Sequence, residues 1–405
     1  MPQSRSTSAL SRRELLTSGS FAAGLAMLAD VSHSQDNPAA NVEDRGTNIR
    51  ISSLKGFRVG TKAYLKIETN RQITGWGEIT GLDPLVAIAL AQSLFELLDG
   101  ENPTRVEYLW QKLYRSHRDM RGGPFMTHVI SAIDMALWDI AGKAWGVPVY
   151  RLLGGPVRDK VKYYSHAKAH KVGTGGPHPH SGDPKDIEPL VKMIKQTRER
   201  VGPDGTVMFD AHCAIPPAML IQLAAAIEPY DILFLEEPAV PGNIEVFKRL
   251  KQSIKIPLAT GERDRTIWGM IPYLQERCID ILQPDCAHTG GISQMHKIAT
   301  LAEAYMVPLA PHCTCSELGV SASLQVAFVA PFLVIHELYL DGHLMPPGVA
   351  NKSFKVLDDG HVTAPEGPGL GVTIDESQFE KVNADPKRQF KWPKLTLPDG
   401  SVRDY

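Results

Sequence analysis

Apolar positions along the chain fall into two textures. From residue 48 to about 155, β-like runs (57–59 and 63–67) break at Gly60, and a Thr-Gly-Trp-Gly-Glu segment (74–78) leads onward. Three stretches follow with apolar residues at spacings of three and four: 85–98, 106–114 and 129–144. That spacing lines one face of a helix, so the region reads as α+β. After Gly154-Gly155-Pro156 short apolar runs alternate with helix-like segments. Six runs end in turn at Asp210, Glu236, Glu262, Asp285, His312 and Glu337, at intervals of 26, 26, 23, 27 and 25 residues. An interval of that length holds one strand, one helix and two loops, so the repeat is a βα unit.

Serial βα units form either an open doubly wound sheet or a closed barrel. Only the barrel gathers all strand ends around one pocket, and every run here ends in an ionisable residue. No GxGxxG or Walker A sequence follows a strand, which argues against an open nucleotide-binding sheet. The expected fold is α/β: a modified TIM-type (β/α) barrel with an α+β capping domain. We place the barrel at residues 156–344, the cap at 41–155, and a segment completing the cap at 345–405. Within that last segment, 354–362 reads as a hairpin around Asp-Asp-Gly, expected to pack on the N-terminal region.

The barrel is short. Its 189 residues fall below the roughly 200 to 250 of a complete (β/α)8 unit. Strand one is expected at 161–166, and only 44 residues separate His166 from Asp210, where two units at this spacing need about 52. Residues 174–184 are loop-like, so the first crossover helix is the missing part, and a normal parallel pair needs a dozen or more connecting residues.

Composition narrows the partners. Lys+Arg 43 against Asp+Glu 45 gives a net charge of −2, with no basic stripe to neutralise phosphates, so nucleic acid is not expected. Five cysteines at 213, 278, 286, 313 and 315 make neither a disulfide framework nor paired zinc knuckles. Ser-Arg-Arg-Glu-Leu-Leu at 11–16, then an apolar stretch at 21–28 too short to span a bilayer, reads as a twin-arginine export signal within residues 1–40. The expectation is a periplasmic protein with no membrane association, or a cytoplasmic one if the two arginines are a chance pair.

Asp210, Glu236 and Glu262 at three consecutive strand ends make a hard, all-oxygen, tri-anionic site that suits Mg2+. Such carboxylates must be metal-bound, paired or protonated, because burying like charges is costly. Asp285 and His312 end the next two strands. A carboxylate on one imidazole nitrogen fixes the tautomer and raises the basicity of the other, which makes a general base. His178 and His180 sit in a Gly-Pro-His-Pro-His-Ser-Gly context that reads as a loop.

The set of motifs resembles the mandelate racemase branch of the enolase superfamily. It comprises Asp210, Leu-Glu-Glu-Pro with Glu236, Ala-Thr-Gly-Glu with Glu262, Asp285 with Gly290-Gly291, Ala-Pro-His with His312, and Glu337. Ala-Ile-Asp-Met-Ala-Leu-Trp-Asp at 132–139, Gly-Val-Pro at 146–148 and Gly-Pro-Gly-Leu-Gly-Val at 367–372 extend the likeness over about 48–385. The resemblance implies that Asp210, Glu236 and Glu262 bind Mg2+ and that the metal holds a substrate carboxylate. His312, oriented by Asp285, would take the α-proton, with Glu337 hydrogen-bonding the developing enediolate. Glu237 is the alternative to Glu236, although a period-two strand points only one of them inward.

His212, two positions beyond Asp210, stands where acid-sugar dehydratases resembling galactonate and mannonate dehydratases carry a general acid for the departing 3-hydroxyl. Lys168 and His170 resemble the Lys-x-Lys or Lys-x-His of the second strand, as a second base or a carboxylate-binding cation. The resemblance thus implies a Mg2+-dependent dehydratase of aldonic or aldaric acids, a hydro-lyase giving a 2-keto-3-deoxy acid, in a homo-oligomer. Two alternatives stay open. One is a racemase, epimerase or cycloisomerase with the same metal site, and the other an acid-sugar-binding protein whose shortened barrel has lost turnover.

Overall fold

The computed structural model describes residues 48–165, 171–174, 183–340, 344–388, 390–392, 395–397 and 399–402. Lys168, His170, His178, His180 and the proposed export signal lie outside them.

The N-terminal part begins with an antiparallel sheet, β1 (Ile51–Val59), β2 (Lys62–Thr69) and β3 (Thr74–Ile79), in the order β1-β2-β3. Helices α1 (Pro84–Ser93), α2 (Val106–Ser116) and α3 (Pro124–Trp145) follow at the three periodic stretches, then a short α4 (Val149–Leu152). Helix α3 lies directly on β3. A Cβ on Gly77 would meet the Ala132 carbonyl oxygen at 1.8 Å and one on Gly75 that of Ala136 at 2.0 Å, so the Gly-Trp-Gly segment is what allows backbone-to-backbone approach.

Buried carboxylates tie this part to the next. Asp134 on α3 accepts from the backbone N–H (3.0 Å) and hydroxyl (2.5 Å) of Ser293, in the first turn of a barrel helix. Glu78 on β3 accepts from the Ser316 N–H (2.8 Å) and hydroxyl (2.6 Å) at the start of another. Asp139 accepts from the N–H groups of Trp76 (3.1 Å) and Leu370 (2.9 Å). Anions at helix N-termini satisfy otherwise unpaired N–H groups and meet the positive end of the helix dipole. Two of the three acidic residues, Asp134 and Asp139, belong to the Ala-Ile-Asp-Met-Ala-Leu-Trp-Asp motif, and both are fixed in structural bonds.

The second part alternates β4 (Lys160–Tyr164), β5 (Lys171–Gly173), α5 (Glu188–Val201), β6 (Val207–Asp210), α6 (Pro217–Ile227), β7 (Ile232–Glu236) and α7 (Ile244–Ser253). It continues with β8 (Leu258–Thr260), α8 (Thr266–Gln275), β9 (Ile281–Leu282), α9 (Gly291–Ala304), α10 (Glu317–Ala327) and β10 (His336–Glu337). Strands β5-β6-β7-β8-β9 form one parallel sheet. Single parallel bridges carry it on from Leu282 to Leu309 and from Leu309 to Leu333, and β10 pairs in parallel with β4. Tyr164, Met208, Phe234, Ala259, Ile281, Ala310 and Ile335 form one buried cluster, a residue from each of seven strand positions, filling the interior as a barrel layer does.

The ring has one seam among the described residues. Among the described residues no ladder joins β4 to β5, and no helix stands between them. The barrel is shortened at the first crossover, where the 44-residue interval puts it. The C-terminal hairpin departs from expectation: its strand β11 (His361–Thr363) pairs antiparallel with β4 of the barrel rather than with the N-terminal sheet. It is α11 (Phe379–Asn383) that reaches that sheet, with Phe379 edge-on to Phe57 at 5.4 Å. Among the described residues no helix is long and apolar enough to cross a membrane.

Candidate active site

Parallel register sets the first two carboxylates side by side, because Asp210 and Glu236 are direct partners at the ends of β6 and β7. Both are buried, as is Glu337 at the end of β10. Glu262 follows Gly261, whose φ of +137° re-aims the chain after β8, and its side chain is 15% exposed. Glu237 is also buried but turns away at a left-handed φ of +48°. Its Oε2 is 2.6 Å from Arg263 Nε, so only the first glutamate of the pair joins the cluster.

One side chain that sequence reasoning missed sits among these acids. Lys171 on β5 is buried, with Nζ 2.8 Å from Glu236 Oε1, 3.0 Å from Asp210 Oδ2 and 3.1 Å from Glu337 Oε1. It is the residue after the Lys-x-His pair singled out from the sequence, and the register of β5 against β6 gives the inward direction at 171 and 173. Burial disfavours its charge, but Asp210, Glu236 and Glu337 outweigh that and hold the ammonium protonated. Burial likewise pushes the Asp210 carboxyl up, and Lys171 and His212 bring it below its ordinary value. Glu236 goes the other way, raised by burial and by Asp210 beside it.

His312 and Asp285 meet as their chain positions imply. His312 Nδ1 is 2.6 Å from Asp285 Oδ2, and Nε2 faces Glu262 Oε2 at 3.6 Å and Glu337 Oε2 at 3.8 Å. Asp285 also accepts from the Ala287 N–H at 2.6 Å. Burial opposes charge on His312, but Glu262, Glu337 and Asp285 together raise its pKa well above the usual histidine value. His212 takes a left-handed φ of +45°, uncommon without a glycine, held by its own N–H on Asp210 Oδ1 at 2.9 Å. Its Nε2 lies 3.0 Å from Asp210 Oδ2 and its side chain is 30% exposed at the rim.

A second histidine beside the dyad also escaped the sequence reading. His288 Nδ1 is 3.6 Å from Asp285 Oδ2, Nε2 is 2.8 Å from the Thr80 hydroxyl, and the ring stacks on His128 at 4.2 Å. Its only sequence signal was its place three residues after Asp285, which carries no periodicity.

Two donor sets could hold a metal. Asp285, His288 and His312 have ligand atoms within 4.8 Å of one another, the one such group among the described residues. Asp210, Glu236 and Glu262 form a wider arc, with Lys171 between the first two. The arc nevertheless fits a hard divalent cation. It is all oxygen, Glu236 Oε2 is buried without a hydrogen-bond partner, and three carboxylates, Glu337 included, share one ammonium.

Comparison with known proteins agrees with the fold. Residues 49–154 match the mandelate racemase / muconate lactonizing enzyme N-terminal domain, and 157–378 match the enolase C-terminal domain-like family. The chain belongs to the enolase superfamily. A D-galactonate dehydratase of Variovorax paradoxus is 36% identical over 385 residues, covering 88% of this chain and 100% of the relative. One from Ralstonia pickettii is 35% identical, again over 88% and 100%. The 3,6-anhydro-D-galactonate cycloisomerase of Zobellia galactanivorans superimposes with a TM-score of 0.75 at 29% identity, covering 82% of this chain and 99% of the other. A superfamily member from Salmonella Typhimurium gives 0.76 at 28%, covering 82% and 98%. This member of the superfamily is an enzyme of the hydro-lyase class.

Proposed function

We propose that the protein is a Mg2+-dependent dehydratase of sugar acids, with D-galactonate the first substrate to assay. The observation that carries the reading is the His312–Asp285 pair at 2.6 Å, which leaves Nε2 facing Glu262 and Glu337 on the carboxylate arc. Similarity along nearly the whole length of curated D-galactonate dehydratases supports it.

Asp210, Glu236 and Glu262 would hold the cation, which would supply positive charge against the charge that develops on a substrate carboxylate. His312 takes the proton α to that carboxylate at Nε2, because Asp285 occupies Nδ1 and fixes the tautomer. Glu337, whose Oε2 accepts from the Cys313 N–H at 3.0 Å, would serve the developing oxyanion only when it carries a proton to donate. His212 at the rim delivers a proton to the 3-hydroxyl as the C3–O bond breaks, releasing water. The resulting enol ketonises, taking a solvent proton at C3, and gives the 2-keto-3-deoxy acid.

Turnover in D2O followed by NMR tests this order of events. Dehydration places deuterium at C3 of a 2-keto product. Deuterium at C2 of an otherwise unchanged acid would instead identify a racemase or epimerase, and tight binding with neither event a binding protein.

A further inference from the structure

We propose that Lys171 is a resident counter-cation that closes the barrel seam and competes with the divalent metal for the same carboxylates. The inference rests on reading Asp210, Glu236 and Glu262 as the cation site. Lys171 reaches every side of the gap. Its strand β5 is bonded only to β6 among the described ladders, while its ammonium pairs with Asp210 on β6, Glu236 on β7 and Glu337 on β10, and lies 5.8 Å from the Tyr164 ring on β4. Where a first crossover helix and a β4–β5 ladder would join the ring, one buried side chain bridges it.

The same placement has an electrostatic consequence. An ammonium 2.8 and 3.0 Å from Glu236 and Asp210 neutralises part of the charge that would attract a cation, and both cannot occupy the same few ångströms without strong repulsion. Metal entry therefore requires Lys171 to withdraw toward Glu337 and Tyr164. Lys171 lowers metal affinity and in exchange lets three clustered carboxylates, Asp210, Glu236 and Glu337, fold before metal arrives.

Calorimetric titration of Mg2+ into the EDTA-stripped full chain tests this, using wild type, K171M and K171Q, with unfolding followed by circular dichroism. The variants should bind Mg2+ at least about tenfold more tightly. In EDTA their melting temperature should fall by about 5 °C or more, with a larger Mg2+-induced rise than in wild type. Folded variants that bind no more tightly than a wild type that does bind overturn the inference alone. Binding by K171M but not by wild type supports it, and no binding by either overturns it together with the cation site. If neither variant folds, wild type decides: a cooperative transition retained in EDTA supports the inference, and its loss overturns it.

Discussion

Asp285 Oδ2 receives His312 Nδ1 at 2.6 Å across two neighbouring strand ends, and both residues are buried. The pair is aligned by the barrel itself. The bridge from Leu282 to Leu309 sets the two strands in register three residues before each functional side chain. Replacing Asp285 by Asn keeps the shape but frees the tautomer. D285N should lose at least about a hundredfold in kcat with an unchanged circular dichroism spectrum. Activity near that of wild type would remove His312 as the base.

His212 separates the two halves of the proposed reaction. H212N should abolish release of the 2-keto acid while leaving exchange of the C2 proton with D2O, because His312 and Asp285 remain. Equal loss of exchange and dehydration would place His212 in the binding or folding of Asp210, whose carboxylate its backbone and ring both contact.

Asp134 gives the fold a pH dependence of its own. Burial pushes its carboxyl up to about 7 against the opposing Ser293 hydrogen bonds, whereas in the unfolded chain it titrates near ~3.9. Between those values the native state binds a proton that the unfolded state has lost, so this group's contribution is full below about pH 4 and declines as pH rises through about 7. The effect is at most ~4 kcal/mol. D134N keeps an acceptor for the Ser293 N–H and does not titrate. The melting temperature of wild type minus that of D134N should therefore fall between pH 5 and pH 8, and a constant difference would contradict the assignment.

Much of this site was legible before any coordinates. A strand ending in an ionisable residue about every 25 positions forces convergence once the barrel closes, so Asp210, Glu236, Asp285, His312 and Glu337 come together from spacing alone. The short interval before Asp210 likewise located the seam. Lys171 was not legible, because its neighbours Lys168 and His170 fit the expected motif and only the β5–β6 register settles which face residue 171 occupies. His288 was hidden for a similar reason, since its contacts with Thr80 and His128 come from a part of the chain more than 150 residues away. Pairing of β11 with β4 was also out of reach, because a hairpin's own sequence does not name the edge it will join.

The most direct test of the account is the EDTA-stripped enzyme assayed for 2-keto-3-deoxy acid across aldonic and aldaric acids, D-galactonate included, with and without Mg2+. At least one acid should give product with Mg2+, and none should in EDTA. No product from any of them, or equal product in EDTA, would contradict it.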